Sequence, residues 1–509
     1  MSCAPFPRED QMTQIERFPT DTTPDLSAHP NRRDVLAGSA GFLAAIAGLS
    51  ILAQPARAQE VARPHILYIL VDDLGYADVG YHGSDVKTPN VDRLAAEGAR
   101  LMQFYTQPLC TPTRAALMTG RYPMRYGLQT GVIPSGGRYG LDTAEVLLPQ
   151  VLKEAGYKTA LVGKWHLGHA DQKYWPRQRG VDYFYGPLVG EIDHFKHEAH
   201  GITDWYRDNE MVKEPGYDTE LFGADAIRLI EEHDSATPLY MYLSFTAPHT
   251  PYQAPDKYKD LYPDIADEGR KAYAAMISCM DDQVGLVLQA LERRGMREDT
   301  LVIFHSDNGG TRSKMFAGEG AVAGELPPRN DPLREGKGTL YEGGTRVVAL
   351  ANWPGRIPAG ETHGMMHVVD MLPTLAGLAQ AEIAHAGQLD GMDVWQAISA
   401  GKASPREEVV YNIEPTQGAL RDGKWKLYWQ PILPPKVELF DLEADPSETT
   451  DLSAKEPEQL ARMQARVIDL ARSMAPPLFY ANALHTTLSA PLATAAPGDV
   501  LNAMAQGED

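Results

Sequence analysis

The stretch His65-Ile-Leu-Tyr-Ile-Leu-Val71-Asp72-Asp73 sets the frame for this 509-residue chain. It is a short apolar, β-rich run that stops abruptly at two carboxylates. Similar runs at 159–162, 239–245, 300–305 and 346–351 are expected strands, and between them lie helical patterns such as 91–97, capped by Gly98, and the long 269–293. Strands alternating with helices predict an α/β domain around a large, mostly parallel sheet sandwiched by helices.

In open sheets of this kind ligands gather beyond the carboxyl ends of the strands. The first run ends in Asp72-Asp73 and the second in Gly163-Lys164-Trp165-His166; the third leads into Pro248-His249, and the fourth ends in Asp307-Asn308-Gly309-Gly310. Each strand is therefore expected to bring a polar group to one edge. An Asp-Asp pair alone is usually a turn or a helix cap. Joined by Asp307-Asn308 at another strand end, it becomes an all-oxygen set suited to Ca²⁺ or Mg²⁺ and poorly suited to zinc, which prefers His or Cys. Lys164, His166, His249 and Lys337 taken singly are ordinary surface charges or satisfied histidines. Grouped around a metal, they could surround an anion.

Between these clusters lies Cys110-Thr111-Pro112-Thr113-Arg114, followed by Ala-Ala-Leu-Met and Thr119-Gly120-Arg121. Read alone, Cys110 either opens a helix beside Arg114 as a reactive thiol or is a buried residue. The string resembles the signature of the type I sulfatases, C-x-P-x-R with a downstream L-x-T-G-R, and four further blocks carry the resemblance on: Asp72-Asp73, Gly163-Lys-Trp-His-Leu-Gly168, Ala247-Pro-His-Thr-Pro251 with Lys337-Gly-Thr-Leu-Tyr, and Asp307-Asn308. The resemblance covers about Ile66 to Leu452 and implies an alkaline-phosphatase-like fold. It implies that Cys110 is oxidised to formylglycine before folding by a formylglycine-generating enzyme, and that the aldehyde hydrate is the nucleophile: one hydroxyl attacks sulfur, the other expels sulfate. It further implies Ca²⁺, with Mg²⁺ as the alternative, held by Asp72, Asp73, Asp307, Asn308 and the Cys110 side chain. Arg114 would anchor the hydrate, Lys164 and Lys337 would meet sulfate oxygens, His249 with Lys337 would protonate the leaving oxygen, and His166 would be the base. Thr113 departs from the commoner serine but keeps a hydroxyl. The segment 186–194 resembles the N-acetylgalactosamine 4-sulfatase (arylsulfatase B) subgroup.

Asn31-Arg32-Arg33-Asp34 precedes an uncharged Ala/Gly/Leu run and an Ala56-Arg57-Ala58 cleavage pattern, which resembles a twin-arginine export signal at 1–58; a membrane anchor is the rival. The expected organisation is thus signal 1–58, catalytic domain 59–404, a small antiparallel sheet plus helix at 405–475, and an unassigned tail at 476–509. Export makes the protein periplasmic or secreted and implies the twin-arginine machinery as a partner. Without the signal the chain has 42 basic and 62 acidic residues, net −20, which argues against nucleic acid and anionic membranes as partners. Positive charge must then be concentrated inside the site. Cys3 leaves with the signal, and Cys279 is expected to be buried without a disulfide.

The resulting expectation is a sulfatase acting on a small sulfate ester or sulfated sugar. Its rivals are a phosphate or phosphonate ester hydrolase of the same superfamily, a sulfated-glycan-binding protein whose Cys110 stays a thiol, and a Cys110–His166 thiol hydrolase. Selectivity is expected in loop 186–203, where His194, His197 and His200 either read sugar hydroxyls or form a polar surface.

Overall fold

Along His65–Val71, Ile66, Tyr68 and Leu70 enter one apolar cluster while Leu67, Ile69 and Val71 enter a second. The strand is buried on both faces, as its apolar run requires once side chains alternate with a period of two. The computed structural model describes residues 63–316, 318, 325–431 and 434–489. The expected signal at 1–58 and the end of the tail, 490–509, lie outside the described residues.

His65–Val71 pairs in parallel with Leu239–Ser244 on one side and Thr300–Ser306 on the other, and Lys158–Gly163 and Tyr183–Gly186 continue the parallel order. These strands form the centre of a ten-stranded sheet whose outer pairs, apart from Gly360–Thr362 against Ala99–Leu101, are antiparallel. The Cys110–Thr119 helix sends Ala115, Ala116, Leu117 and Met118 into the first cluster. Asp218–Glu232 and Glu268–Arg293 cover the second, and Pro89–Ala96 stands where 91–97 was expected.

The run expected at 346–351 forms a strand only at Ala349–Asn352, and it is antiparallel to Thr300–Ser306. Ahead of it Glu342–Thr345 is a short helix, and Arg346 forms only an isolated antiparallel bridge to Tyr105. After Ser306 the chain stays at the carboxyl edge to build the Lys337 loop, so it re-enters the sheet from that edge and runs backwards.

The C-terminal region follows the expected plan: Glu408–Ile413, Gly418–Asp422, Trp425–Gln430 and Lys436–Asp441 form an antiparallel sheet, and Pro457–Ala471 packs on it. Gly423 turns the hairpin with φ 56°, a value that glycine adopts without a Cβ penalty. The tail supplies a helix, Leu478–Ser489, that the weak sequence pattern did not announce; the chain leading into it is tied by Ala475 N–H to the Met124 carbonyl and by Leu478 N–H to the Gly127 carbonyl.

A buried ionic cluster joins this sheet to the loop after Lys337. The Lys426 ammonium lies 3.0 Å from Glu342 and 2.8 Å from Glu448, all three without solvent exposure. Glu448 accepts the Glu342 backbone N–H at 2.7 Å, and the Tyr105 and Tyr411 hydroxyls donate to Glu342. Burial pushes the Glu448 carboxyl up to about 7, while Lys426, against the effect of burial, holds Glu342 at about 2. Removing one partner of such a group strands charge in a low dielectric. Lys426→Met is expected to cost about 3–5 kcal/mol in denaturant unfolding at pH 8, where both carboxylates ionise; a midpoint unchanged from the parent would refute this.

Candidate active site

Four parallel strand ends do what the spacing predicted. Asp72 and Asp73 follow Val71, Lys164 follows Gly163, His249 lies five residues beyond Ser244, and Asp307 follows Ser306. Gly163 has φ 113°, and a Cβ there would sit 1.8 Å from the Ser244 carbonyl oxygen. Only glycine lets the strand bend so close to its neighbour and deliver Lys164 inward. Gly309 is as tightly placed, its absent Cβ falling 1.7 Å from the Gly343 carbonyl oxygen. This closeness brings the Asp307-Asn308 loop against the loop that follows Lys337. Asp73 and His166 hold left-handed backbone, φ 64° and 57°, a conformation that non-glycine residues keep mainly where the surroundings enforce it.

Cys110 is the first residue of a helix whose ten residues are all buried. Its Sγ lies 3.4 Å from Asp72 Oδ1 and 3.6 Å from Asn308 Oδ1. One turn on, Arg114 donates to Asp72 at 3.1 Å, to Asp307 at 2.9 Å, to the Ser244 hydroxyl at 2.6 Å and to the Lys164 carbonyl at 3.1 Å. Lys164 Nζ is 2.6 Å from Asp72 Oδ2. Lys337 Nζ bonds Asp73 Oδ2 and His249 Nε2, each at 3.0 Å. Asn308 Nδ2 donates to Asp73 Oδ1 at 2.7 Å.

The structure thus gathers Asp72, Asp73, Cys110, Arg114, Lys164, His249, Asp307, Asn308 and Lys337 into one buried group. His166 adjoins it through Thr111, the neighbour of Cys110, whose hydroxyl donates to the His166 carbonyl. His166 Nε2 faces the Ile133 carbonyl at 3.1 Å and therefore carries the proton, leaving the buried Nδ1 as a lone pair without a hydrogen-bond partner. Burial, then the charges of Lys164 and Arg114, holds His166 well below the ordinary histidine range, so the ring is neutral. His249 Nδ1 lies 2.8 Å from the Thr250 carbonyl, which makes Nε2 the acceptor for Lys337. Burial and then Lys337 also depress His249.

Burial resists ionisation of Asp72, but Lys164 and Arg114 outweigh it and hold that carboxyl well below the usual range. Burial and then the Asp72 charge push Asp307 up to about 7. Buried carboxylates that repel one another while their oxygens converge are what a divalent cation relieves. Ligand atoms of Asp72, Asp73, Cys110 and His249 all lie within 4.8 Å of one another. As a thiol Cys110 is poorly placed for attack: burial, then Asp307 and Asp72, push its ionisation well up, the reverse of the lowered thiol that a helix start beside Arg114 would suggest.

Two contributors escaped the sequence reading. Thr311 donates to Asp73 Oδ2 at 2.9 Å, and Ser244 accepts from Arg114. Thr311 is the first hydroxyl after Asp307-Asn308-Gly-Gly, and Ser244 ends its strand, so position along the motif was the available signal. The loop histidines need correction. His194 and His197 are buried: His194 contacts Asp218 and the His249 carbonyl, and His197 stacks on Trp205 at 4.1 Å between centroids. Neither is a surface reader of sugar, because the loop folds its rings into its own core. Only His200 is exposed, lining an open cavity of about 380 Å³ with Glu191, Asp193 and Gln253. Cys279 is buried, and no disulfide occurs among the described residues. No helix among them is long and apolar enough to cross a membrane.

Comparison with known proteins agrees with this geometry. The Sulfatase family matches residues 64–381. Arylsulfatase J of Mus musculus is 35% identical over 471 residues, spanning 82% of this chain and 77% of that protein. N-acetylgalactosamine-6-sulfatase of Mus musculus is 33% identical over 388 residues, 72% of each chain. Among solved structures, Ps i-CgsB in complex with k-i-k-neocarrahexaose superposes with a TM-score of 0.75 at 31% identity, covering 84% of this chain and 98% of that one. These relatives span several sulfatase types, so the likeness of 186–194 to the 4-sulfatases stays a likeness.

Gly163→Ala tests the delivery of Lys164. A methyl group against the Ser244 carbonyl at a left-handed φ is expected to destabilise the protein by roughly 3–5 kcal/mol. Thermal and denaturant unfolding would measure this, and a parent-like midpoint would show that the strand ends can part without cost.

Proposed function

The chain belongs to the sulfatase family and is a sulfuric ester hydrolase; from that premise we propose an exported enzyme that cleaves sulfate monoesters of sugars or aryl alcohols with a formylglycine made from Cys110. One observation carries the reading: Cys110 Sγ stands on the Asp72 and Asn308 oxygens inside a shell of Arg114, Lys164, His249 and Lys337. Conversion of the side chain to an aldehyde hydrate supplies two hydroxyls on one carbon where the thiol offers a single poor nucleophile. A formylglycine-generating enzyme would have to act before Cys110 is buried, and before any export of the folded chain.

Asp72, Asp73, Asp307 and Asn308, with the converted residue 110, would hold Ca²⁺ or Mg²⁺, which supplies Lewis acidity toward an ester oxygen. The charge balance supports this. Asp72, Asp73 and Asp307 are matched by Arg114, Lys164 and Lys337, so a bound dication leaves excess positive charge for a sulfate group and an ionised nucleophile. Arg114 is occupied by two carboxylates; it fixes their positions and, through its helix, that of residue 110. Lys164 and Lys337 neutralise sulfate oxygens. The free Nδ1 of His166 is suited to take a proton from the hydrate. Lys337 holds the proton shared with His249 Nε2, and this pair delivers it to the departing oxygen.

Mass spectrometry of the peptide bearing residue 110 is expected to find the aldehyde in place of the thiol. An unmodified thiol in active protein would remove this mechanism, and in inactive protein would favour the glycan-binding alternative. Chelation is expected to abolish turnover, with Ca²⁺ or Mg²⁺ but not Zn²⁺ restoring it. At a hundredfold excess over Kd the ion should stabilise the fold by about 2.7 kcal/mol in thermal unfolding, and Asp73→Ala should lose that shift; a metal-free preparation with full activity would overturn the assignment. His249→Ala is expected to slow a sugar sulfate by about 10² to 10⁴ and a nitrophenyl sulfate far less, since phenolate leaves unaided. Greater turnover of phosphate or phosphonate esters than of sulfates would shift the substrate class.

A further inference from the structure

Another buried ion pair, outside the charged cluster of the site, holds the turn that carries His249. His194 Nδ1 lies 2.8 Å from Asp218 Oδ2, and His194 Nε2 lies 3.1 Å from the His249 carbonyl oxygen. Asp218 Oδ2 also accepts the Thr246 hydroxyl, while the His249 N–H donates to the Thr246 carbonyl at 2.9 Å. The Asp218 N–H in turn donates to the His194 carbonyl at 2.9 Å. The bonds close a ring: Asp218 grips one end of the Thr246–His249 turn directly and the other through His194. None of the four side chains is more than 3% exposed.

The residue types fit this task. Both His194 nitrogens face acceptors, and a neutral imidazole has one N–H only, so two good bonds require the imidazolium, with Asp218 as its counter-ion. Asp193, His197 and the Tyr217 ring also face His194. Burial opposes the charge, and Asp218 outweighs it, raising His194 above the ordinary range. The His249 carbonyl belongs to the peptide that leads to Thr250, whose own carbonyl accepts from His249 Nδ1 at 2.8 Å. Rotation of that peptide would release Nδ1, and with it the tautomer that presents Nε2 to Lys337.

We propose that His194 and Asp218 are positioning residues of the reaction, which through the Thr246–His249 turn fix the tautomer and placement of His249 against Lys337. The proposal rests on the reading of His249 and Lys337 as the proton-delivering pair. The two side chains bond each other, Thr219, Thr246 and the His249 carbonyl, and not Lys164 or Lys337, so the effect is expected on departure of the alcohol and not on binding.

The test uses full-length, metal-loaded enzyme carrying His194→Leu, Asp218→Asn or both, assayed on a sugar sulfate and on nitrophenyl sulfate. Each single variant is expected to lower kcat on the sugar sulfate about 10- to 100-fold, the scale of a misplaced catalytic group. KM and nitrophenyl sulfate turnover should stay within about threefold, and the double variant should be no worse than the singles, since the two act as one unit. Equal losses on both substrates, a loss confined to KM, additive losses, or no loss would each overturn the clamp. Should His194→Leu fail to fold, the near-isosteric Asp218→Asn carries the test alone. Should the parent prefer phosphate or phosphonate esters, the same alkyl-against-aryl comparison is made on those; that outcome counts against the substrate assignment and leaves the clamp to be judged by its own split.

Discussion

Arg114 bridges Asp72 and Asp307 at 3.1 and 2.9 Å from inside a helix that has no exposed residue. Carboxylates buried at neighbouring strand ends would be driven apart or protonated without such a partner, because taking an ion out of water costs several kcal/mol that only close pairing offsets. The guanidinium suits the place: it is planar, always charged, and donates in several directions at once. By meeting two strands it sets their spacing, and because it rides one helical turn after Cys110 it also sets where residue 110 sits. The nucleophile position and the oxygen cluster are therefore products of one constraint.

The same logic recurs at two removes. Lys426, Glu342 and Glu448 hold the C-terminal sheet to the segment after Lys337, so a region with no group in the site still fixes one of its cations. His194 and Asp218 hold the turn of His249. Each is a buried ionic group whose rupture leaves a stranded charge. Such pairs add little net stability compared with apolar packing, but they penalise any misplacement of the chain. The apolar clusters on the two faces of the sheet supply cohesion, and the ion pairs supply registration.

Charge is also distributed with a purpose. The chain is strongly acidic, net −21 over its full length, yet the interior of the site gathers Arg114, Lys164 and Lys337. Surface repulsion between exposed charges fades over about 8 Å at physiological salt, whereas buried charges are screened far less. Asp72, Asp73 and Asp307 pair with these cations, so a dication held there would be what turns the local charge positive toward an anionic ester, whatever the average surface.

The α/β plan, the parallel order of four strands, the antiparallel C-terminal sheet and the polar residue at each strand end were legible because each rests on local pattern: an apolar run, its length, and the residue that stops it. The family signature around Cys110 likewise named the residues that converge. The Ala349–Asn352 strand ran the other way, since direction depends on where a long loop re-enters the sheet, which no local pattern encodes. The Leu478–Ser489 helix was missed because it is largely exposed and lacks the apolar stripe by which a packed helix shows itself in sequence. His194 and His197 carried the right chemistry for a sugar-binding loop, but burial against Asp218 and Trp205 gave them other partners. Sequence by itself thus determined which groups exist and which edge they reach. Tertiary structure alone decided which nitrogen of each histidine holds a proton, which carboxylate is ionised and which loop positions which side chain, because these depend on distances of a few ångströms between residues far apart in the chain.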